Sequence, residues 1–222
     1  MKYTSDTQMS LPDLDSAQEV LTQLTLAQSK ERGAVFTRRE VVGFILDLMG
    51  YTEDEPLYLR RILEPSFGTG DFLCIVVERL FKACQNAEEG LVLHLKDCIR
   101  AVELDEESFE KTRKCLLEQL QDYGLNQKEI YELLDAWLIQ GDFLLEELPF
   151  VFDYVVGNPP YVRQEAIPAG LLKVYRQKFS TLYDRADLYV PFIEKSLGHV
   201  APQGALGFIC ANRWMKNRYG GP

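Results

Sequence analysis

Leu63-Glu64-Pro65-Ser66-Phe67-Gly68-Thr69-Gly70-Asp71-Phe72-Leu73 is where the periodicity of the chain changes. Before it, Tyr58 to Leu63 reads as a short strand; after it, Phe72, Ile75, Val76, Arg79, Leu80 and Ala83 recur at helical spacing. A strand, a tight glycine turn and a helix in succession predict an α/β fold with a mostly parallel sheet. Gly68 and Gly70 carry no Cβ, so the turn can approach a ligand closely or take a positive φ. The turn lacks the three-glycine dinucleotide pattern, and it has no Lys-Ser/Thr pair to make a nucleotide-triphosphate loop. Glu64 beside such a turn suits a small cationic ligand better than a pyrophosphate.

Two further strands end in acids. Ile99-Arg100-Ala101-Val102-Glu103-Leu104-Asp105 places Glu103 where the second strand of a doubly wound sheet would hydrogen-bond a ribose diol. Taken alone, Glu103 reads as a strand-terminal surface carboxylate, since surface acids are common in this chain. Trp137 to Gln140 gives a third strand, followed by Gly141-Asp142-Phe143, whose acid can accept from an adenine amino group while Phe143 covers the ring. Open parallel sheets bind ligands at the carboxyl ends of their strands, so polar groups at three successive strand ends predict a cofactor crevice.

Gly157-Asn158-Pro159-Pro160-Tyr161 follows the apolar run Phe152 to Val156. The run predicts a buried strand, and the two prolines force an extended exit in which neither donates a backbone hydrogen bond. Free carbonyls line that exit. An exocyclic amine conjugated to a ring is a poor nucleophile because its lone pair is delocalised. If the Asn158 side-chain oxygen and the Pro159 carbonyl each accept one N–H, they favour a pyramidal nitrogen, and the Tyr161 ring can hold the base by stacking. The motif is a candidate active site for methylating a planar amino group. The competing reading is a Pro-Pro turn capping a strand, with Tyr161 as a packing residue.

In their order along the chain, these motifs resemble the S-adenosylmethionine-dependent adenine-N6 DNA methyltransferases whose cofactor motifs precede the catalytic one. Gly33-Ala34-Val35-Phe36-Thr37 and the helix after it look like the family's amino-terminal motif, which lies over the methionine end of the cofactor. Asp187 to Lys195 and Gly204 to Ile209 look like its next helix and strand. The resemblance implies a Rossmann-like class I methyltransferase with helices on both sheet faces, plus an amino-terminal helical extension. It assigns S-adenosylmethionine to Thr37, Glu64, Pro65, Gly68, Gly70, Glu103, Leu104, Asp142, Phe143 and Asn158, and catalysis to Asn158, Pro159, Pro160 and Tyr161. It also implies double-stranded DNA as partner, a restriction-modification or phage-defence role, and a cytoplasmic location.

The chain departs from that pattern in two places. Arg38 stands where the family often has proline, although Thr37 and Glu40 have the spacing of a capping box. The sequence stops at Pro222, just past the fifth strand, where relatives continue through two more strands and a target recognition domain. The expected division is 1–55, a helical segment covering the cofactor site, and 56–222, an incomplete catalytic core. That truncation leads to expectations of an exposed strand from Ala205 to Ala211, with Leu206, Phe208 and Ile209 open to self-association, and of negligible turnover by the segment alone.

The 222 residues suit one α/β domain. Five cysteines form no Cys-x-x-Cys pair and read as buried thiols; with His94 and His199 not at ligand spacing from them, no metal site is expected. No signal peptide or membrane-spanning apolar run is visible, so a soluble protein without a membrane partner is expected. The net charge of −10 hides an asymmetry: residues 1–157 hold 15 Lys+Arg against 30 Asp+Glu, and residues 158–222 hold 9 against 4. Arg163, Lys173, Arg176, Lys178 and Arg185, interleaved with Tyr175, Phe179 and Tyr183, read either as a phosphate-binding segment or as a solvated loop. Ala166 to Ala186 shows no firm period and is expected to order with substrate.

Helices are predicted from Asp15 or Ser16, from Thr37 through Phe44, Ile45 and Leu48 to Gly50, from the glycine turn to about Ala87, over Leu91 to Leu95, over Glu106 to Tyr123, and from Asn126 to Leu134. Two alternatives from other classes stay open. Asn-Pro-Pro-Tyr also serves enzymes that methylate a glutamine amide in protein release factors, because that nitrogen is also flat and conjugated. The chain could also be a non-catalytic cofactor-binding segment of a defence assembly.

Overall fold

The computed structural model describes residues 37–84, 92–183 and 185–210. The leading helix, Gly33 to Phe36, Ala87, Gly90 and everything from Ala211 onward lie outside the described residues. Within them, α1 (Arg39–Leu48) precedes β1 (Ile62–Glu64), α2 (Asp71–Cys84), α3 (Val92–Leu95) and β2 (Ile99–Glu103). Then come α4 (Glu106–Asp122), α5 (Gln127–Trp137), β3 (Leu138–Gln140), β4 (Phe152–Gly157), α6 (Ala169–Lys178), α7 (Tyr189–His199) and β5 (Val200–Phe208).

The strands form one sheet in the order β3-β2-β1-β4-β5, every neighbouring pair parallel. Because side chains alternate along a strand, the sheet feeds two cores. Ile62, Ile99, Ala101, Leu138 and Val156 point into one core with residues of α1, α2, α4 and α5. Leu63, Val102, Phe152 and Val155 point into the other, with Leu171 and Tyr175 of α6 and Tyr189, Val190 and Phe192 of α7. Helices thus cover both faces, as a parallel sheet buried on both sides requires. The chain leaves β1 toward β2 and leaves β4 toward β5, so the topology reverses between β1 and β4. That switch point opens a crevice at the carboxyl ends of the two strands.

Local chemistry sets the ends of several elements. Asp105 caps α4, its side chain accepting from Ser108 N at 2.9 Å. Asn126 and Glu129 form a reciprocal capping box on α5. Gly50 takes φ +77° directly after α1.

Several sequence expectations are corrected. Leu57–Leu59 is a 3₁₀ turn and the first strand is only Ile62–Glu64, because Arg61 N donates to the Asp153 side chain and anchors the strand entry. Trp137 ends α5 rather than starting β3; its indole donates to Leu95 O at 2.7 Å. Thr37 and Glu40 make no capping box, and α1 buries Val42 and Leu46 while Phe44 and Leu48 stay 61% and 71% exposed. The aperiodic segment contains α6, whose pattern is hidden because only Leu171 and Tyr175 are buried in it. Leu206, Phe208 and Ile209 are half-buried rather than open: Leu206 and Phe208 pack against the core under α6 and α7, and Ile209 against the core under α1 and α2. Only Cys98 is a buried thiol; Cys115 is exposed.

Gly70 fixes the turn. It takes φ +83°, and a Cβ there would lie 2.7 Å from Thr112 Cγ2. Thr112 cannot easily withdraw, because its hydroxyl donates to Gly68 O at 2.9 Å. Gly70→Ala is expected to cost about 1–3 kcal/mol in urea unfolding from positive-φ strain and overpacking together. Adding Thr112→Ser, which keeps the hydroxyl and removes the clashing methyl, should restore part of that loss.

Candidate active site

Four strand ends and Thr37, just ahead of α1, carry polar groups along the carboxyl rim of the sheet. Glu103, 1% exposed at the end of β2, accepts from Gly68 N at 2.7 Å through Oε2 and from Asp105 N at 2.9 Å through Oε1. One carboxylate therefore ties the glycine turn to the loop that caps α4. Ser66 Oγ lies 3.5 Å from the same Oε2. Leu104 beside it is half-buried and Pro65 is buried.

Glu64 ends β1. It is 3% exposed, and its Oε2 accepts no hydrogen bond from any described residue. Burial, reinforced by the nearby charges of Asp71 and Glu103, raises its carboxyl well above the ordinary glutamate range. On the adjacent strand, Asn158 follows β4, and its buried Oδ1 likewise has no described partner. Its amide Nδ2 reaches Thr37 Oγ1 at 3.5 Å, and Thr37 N donates to Asp71 Oδ2 at 2.8 Å. Thr37, just before α1, thus bridges from the glycine turn to the Asn-Pro-Pro-Tyr motif.

Pro159 and Pro160 are buried and Tyr161 is half-buried. The Tyr161 hydroxyl donates to Ile209 O at 2.8 Å, and its ring lies 5.9 Å from that of Tyr189, inclined at 51°. Burial moves its phenol up to about 12. Ile209 N in turn donates to Gly157 O at 3.0 Å, so the chain leaving β5 is fastened to both ends of the motif.

Asp142 and Phe143 follow β3. Asp142 accepts from Leu144 N at 2.9 Å and from the hydroxyl of buried Tyr175 at 2.5 Å. Burial raises its carboxyl despite the lowering effect of these donors. Phe143 is enclosed at 2% exposure, 5.1 Å from the Phe192 ring, with Lys195 Nζ 4.9 Å from its centroid. Lys195 also donates to Phe143 O and Glu146 O, and burial lowers its ammonium to about 8. Tyr175, Lys195 and Asp71 were not identified as site-supporting residues from the sequence. A Tyr eight residues before a Tyr-Asp pair carries no local signal of a bond to a distant strand end. Among the described residues no group of His, Cys, Asp and Glu side chains is arranged to hold a metal.

A family profile described as Eco57I restriction-modification methylase matches residues 74–222. The chain is 57% identical over 193 residues to Type II methyltransferase M.PaeR7I of Pseudomonas aeruginosa, covering 86% of this chain and 34% of that protein. It is 52% identical over 195 residues to Type II methyltransferase M.XhoI of Xanthomonas vasicola, covering 86% and 36%. The chain spans about a third of the length of these curated relatives. Among solved structures, a putative class I S-adenosylmethionine-dependent methyltransferase from Listeria monocytogenes superposes with TM-score 0.50 at 17% identity, over 91% of this chain and 56% of that one. The M protein of type I restriction enzyme EcoKI gives 0.50 at 13% identity, over 90% and 53%. These superpositions show the class I methyltransferase fold.

The buried Glu64 carboxyl makes stability depend on pH. Its folded pKa lies above its unfolded value, so the folded state holds the proton more tightly. That contribution is complete below the unfolded value of about 4.3 and is lost as pH rises through the raised folded value. Glu64→Gln has no such proton. In isothermal unfolding at stepped pH without ligand, the variant should gain on the parent across that window and then hold a constant advantage. A pH-independent difference would mean that Glu64 is ionised and compensated in the fold.

Proposed function

This chain belongs to the Eco57I restriction-modification methylase family, and on that premise we propose that it forms the S-adenosylmethionine-binding and catalytic part of an enzyme that methylates N6 of adenine in double-stranded DNA. Residues 56–222 are read as catalytic core and 1–55 as a segment over the cofactor. The observation that carries the reading is a pair of buried acceptors with no donor among the described residues, Glu64 Oε2 and Asn158 Oδ1, at the ends of the adjacent strands β1 and β4. A buried acceptor without a donor is costly and therefore rare. Two of them at the topological switch point are what a ligand rich in N–H donors would satisfy.

S-adenosylmethionine supplies an electrophilic methyl group on a sulfonium centre. Glu64 is suited to the ammonium of its methionine end, with Thr37, Pro65, Gly68 and Gly70 shaping the turn around it. Glu103, which accepts two backbone bonds and lies 3.5 Å from Ser66 Oγ, is assigned to the ribose hydroxyls, which would share its two carboxylate oxygens with these donors. Asp142 and Leu104 are assigned to the heterocycle, with Phe143 packed behind them.

At the target base, Asn158 Oδ1 and the Pro159 carbonyl would accept the two hydrogens of the exocyclic amine, while Pro160 holds the extended path. The nitrogen lone pair is thereby drawn out of ring conjugation and directed at the methyl group. Asn158 acts as acceptor and orienter. Its position is set by the Thr37 contact, and the Tyr161 ring, anchored through Ile209 O, offers a face for stacking. An adenine within a duplex cannot reach this recess, so the base must be extruded, at a cost of about a few kcal/mol that stacking and the two hydrogen bonds offset in part.

Tritiated S-adenosylmethionine with duplex DNA, followed by nucleoside analysis, tests the reading on the full-length protein. Asn158→Ala should reduce methyl transfer by about 10²–10³-fold, the usual cost of one oriented polar group, while cofactor affinity stays unchanged. Label on cytosine or on a release-factor glutamine would refute the substrate assignment. Separately, Glu103→Ala should weaken cofactor binding in calorimetry by about 1–3 kcal/mol, the usual cost of losing a buried partner. Equal affinity in the folded variant would remove Glu103 from the site.

A further inference from the structure

From the placement of helix α6 we infer that its exposed basic face, centred on Lys173 and Arg176, binds the phosphodiester backbone of the DNA beside the extruded base. The inference rests on the DNA reading above and names the surface that serves it.

Residues 166–183 contain Lys173, Arg176 and Lys178 and no acidic residue, in a chain whose net charge is −10. No carboxylate within the stretch offsets these cations. The helix turns Leu171 and Tyr175 into the core and leaves Lys173, Arg176 and Lys178 exposed. Lys173 and Arg176 stand three residues apart, so they neighbour one another on one helix face. Two carboxylates that meet the helix or its end are committed elsewhere. Glu194 accepts from the backbone and hydroxyls of both Ser180 and Thr181, just past the helix end. Asp142 accepts from Tyr175 and Leu144.

Placement supplies the second observation. The Tyr175 hydroxyl bonds Asp142 at the carboxyl end of β3, which fastens α6 to the same rim of the sheet that carries Asn158. At the other end, Leu188 N donates to Val162 O at 2.8 Å, closing the α6 segment back onto the residue after Tyr161. The helix is therefore tied to the carboxyl rim of the sheet through Tyr175, and its segment leaves and rejoins the chain at the residues just after Tyr161. A duplex presenting a base to Asn158 brings phosphates past that rim, and their charge matches the helix. An acidic protein surface would match the charge equally but would have no reason to lie next to the base-binding recess.

The test is DNA binding by the full-length protein at a series of salt concentrations. The Lys173→Gln/Arg176→Gln pair is compared with Lys111→Gln/Lys114→Gln on the exposed side of α4. Each phosphate contact contributes about 0.9 to the slope of log K against log salt, so the α6 pair should lower the slope by roughly 2. The loss should be equal on duplexes with and without the target site, with cofactor affinity and the rate at saturating DNA unchanged. The α4 pair should leave the slope as it is. If the parent methylates DNA and the α6 pair leaves the slope intact, the inference is overturned while the enzymatic reading stands. If the parent neither binds nor methylates DNA although it binds cofactor, the enzymatic reading fails and this inference fails with it.

Discussion

The Glu103 carboxylate holds the site together. Its two oxygens take one amide from the glycine turn and one from the loop ahead of α4. The adjoining strands are short, three residues in β1 and five in β2, so their ladder alone leaves the loops beyond them free to vary. A single buried carboxylate with backbone donors on both sides removes that freedom. The turn then presents Gly68 and Gly70 at a fixed height, Thr112 braces it from α4, and Asp71 at the start of α2 is placed to catch Thr37. Each later feature of the crevice is positioned relative to that carboxylate.

Against this rigid frame, the acceptors left without donors are conspicuous. Most buried polar atoms in a folded protein find partners, and two of those without one among the described residues are acceptors at adjacent strand ends on the switch point. The two cores pack on both sheet faces and carry the stability from which this local deficit is drawn. Function is concentrated where the fold is least satisfied, which is the usual trade between stability and an active site.

Much of this was legible in the sequence, for reasons that differ by element. The turn was visible because glycines, an acid and a change of period coincide between Glu64 and Phe72. The strand ends were visible because Glu103, Asp142 and Asn158 each follow an apolar run. The parallel sheet with helices on both faces follows from the same alternation. The α6 helix escaped notice because a helix touching the core at Leu171 and Tyr175 alone lacks the stripe that marks amphipathic periodicity. Phe44 and Leu48 misled for the opposite reason: they are apolar and correctly spaced, yet lie on the outer face of α1. Contacts such as Tyr175 with Asp142, or Tyr161 with Ile209 O, depend on tertiary proximity and leave no trace in local composition.

The central position of β1 also has a temporal consequence. Ile62 pairs with Ile99 on one side and with Tyr154 on the other, and its entry residue Arg61 bonds Asp153, 92 residues later. During synthesis at about 5–20 residues per second, the first strand to emerge waits roughly 5–20 s for its second neighbour. Through that interval one edge of the future sheet centre is unpaired, and Leu63 has no core to enter. Long-range parallel pairing of this kind is slow to nucleate even when both partners are present. The nascent chain therefore passes through a half-built sheet in which β1, β2 and β3 can assemble with α2, α4 and α5 before the catalytic strand exists. The crevice between β1 and β4 is, in order of assembly, the last part of this sheet centre to close.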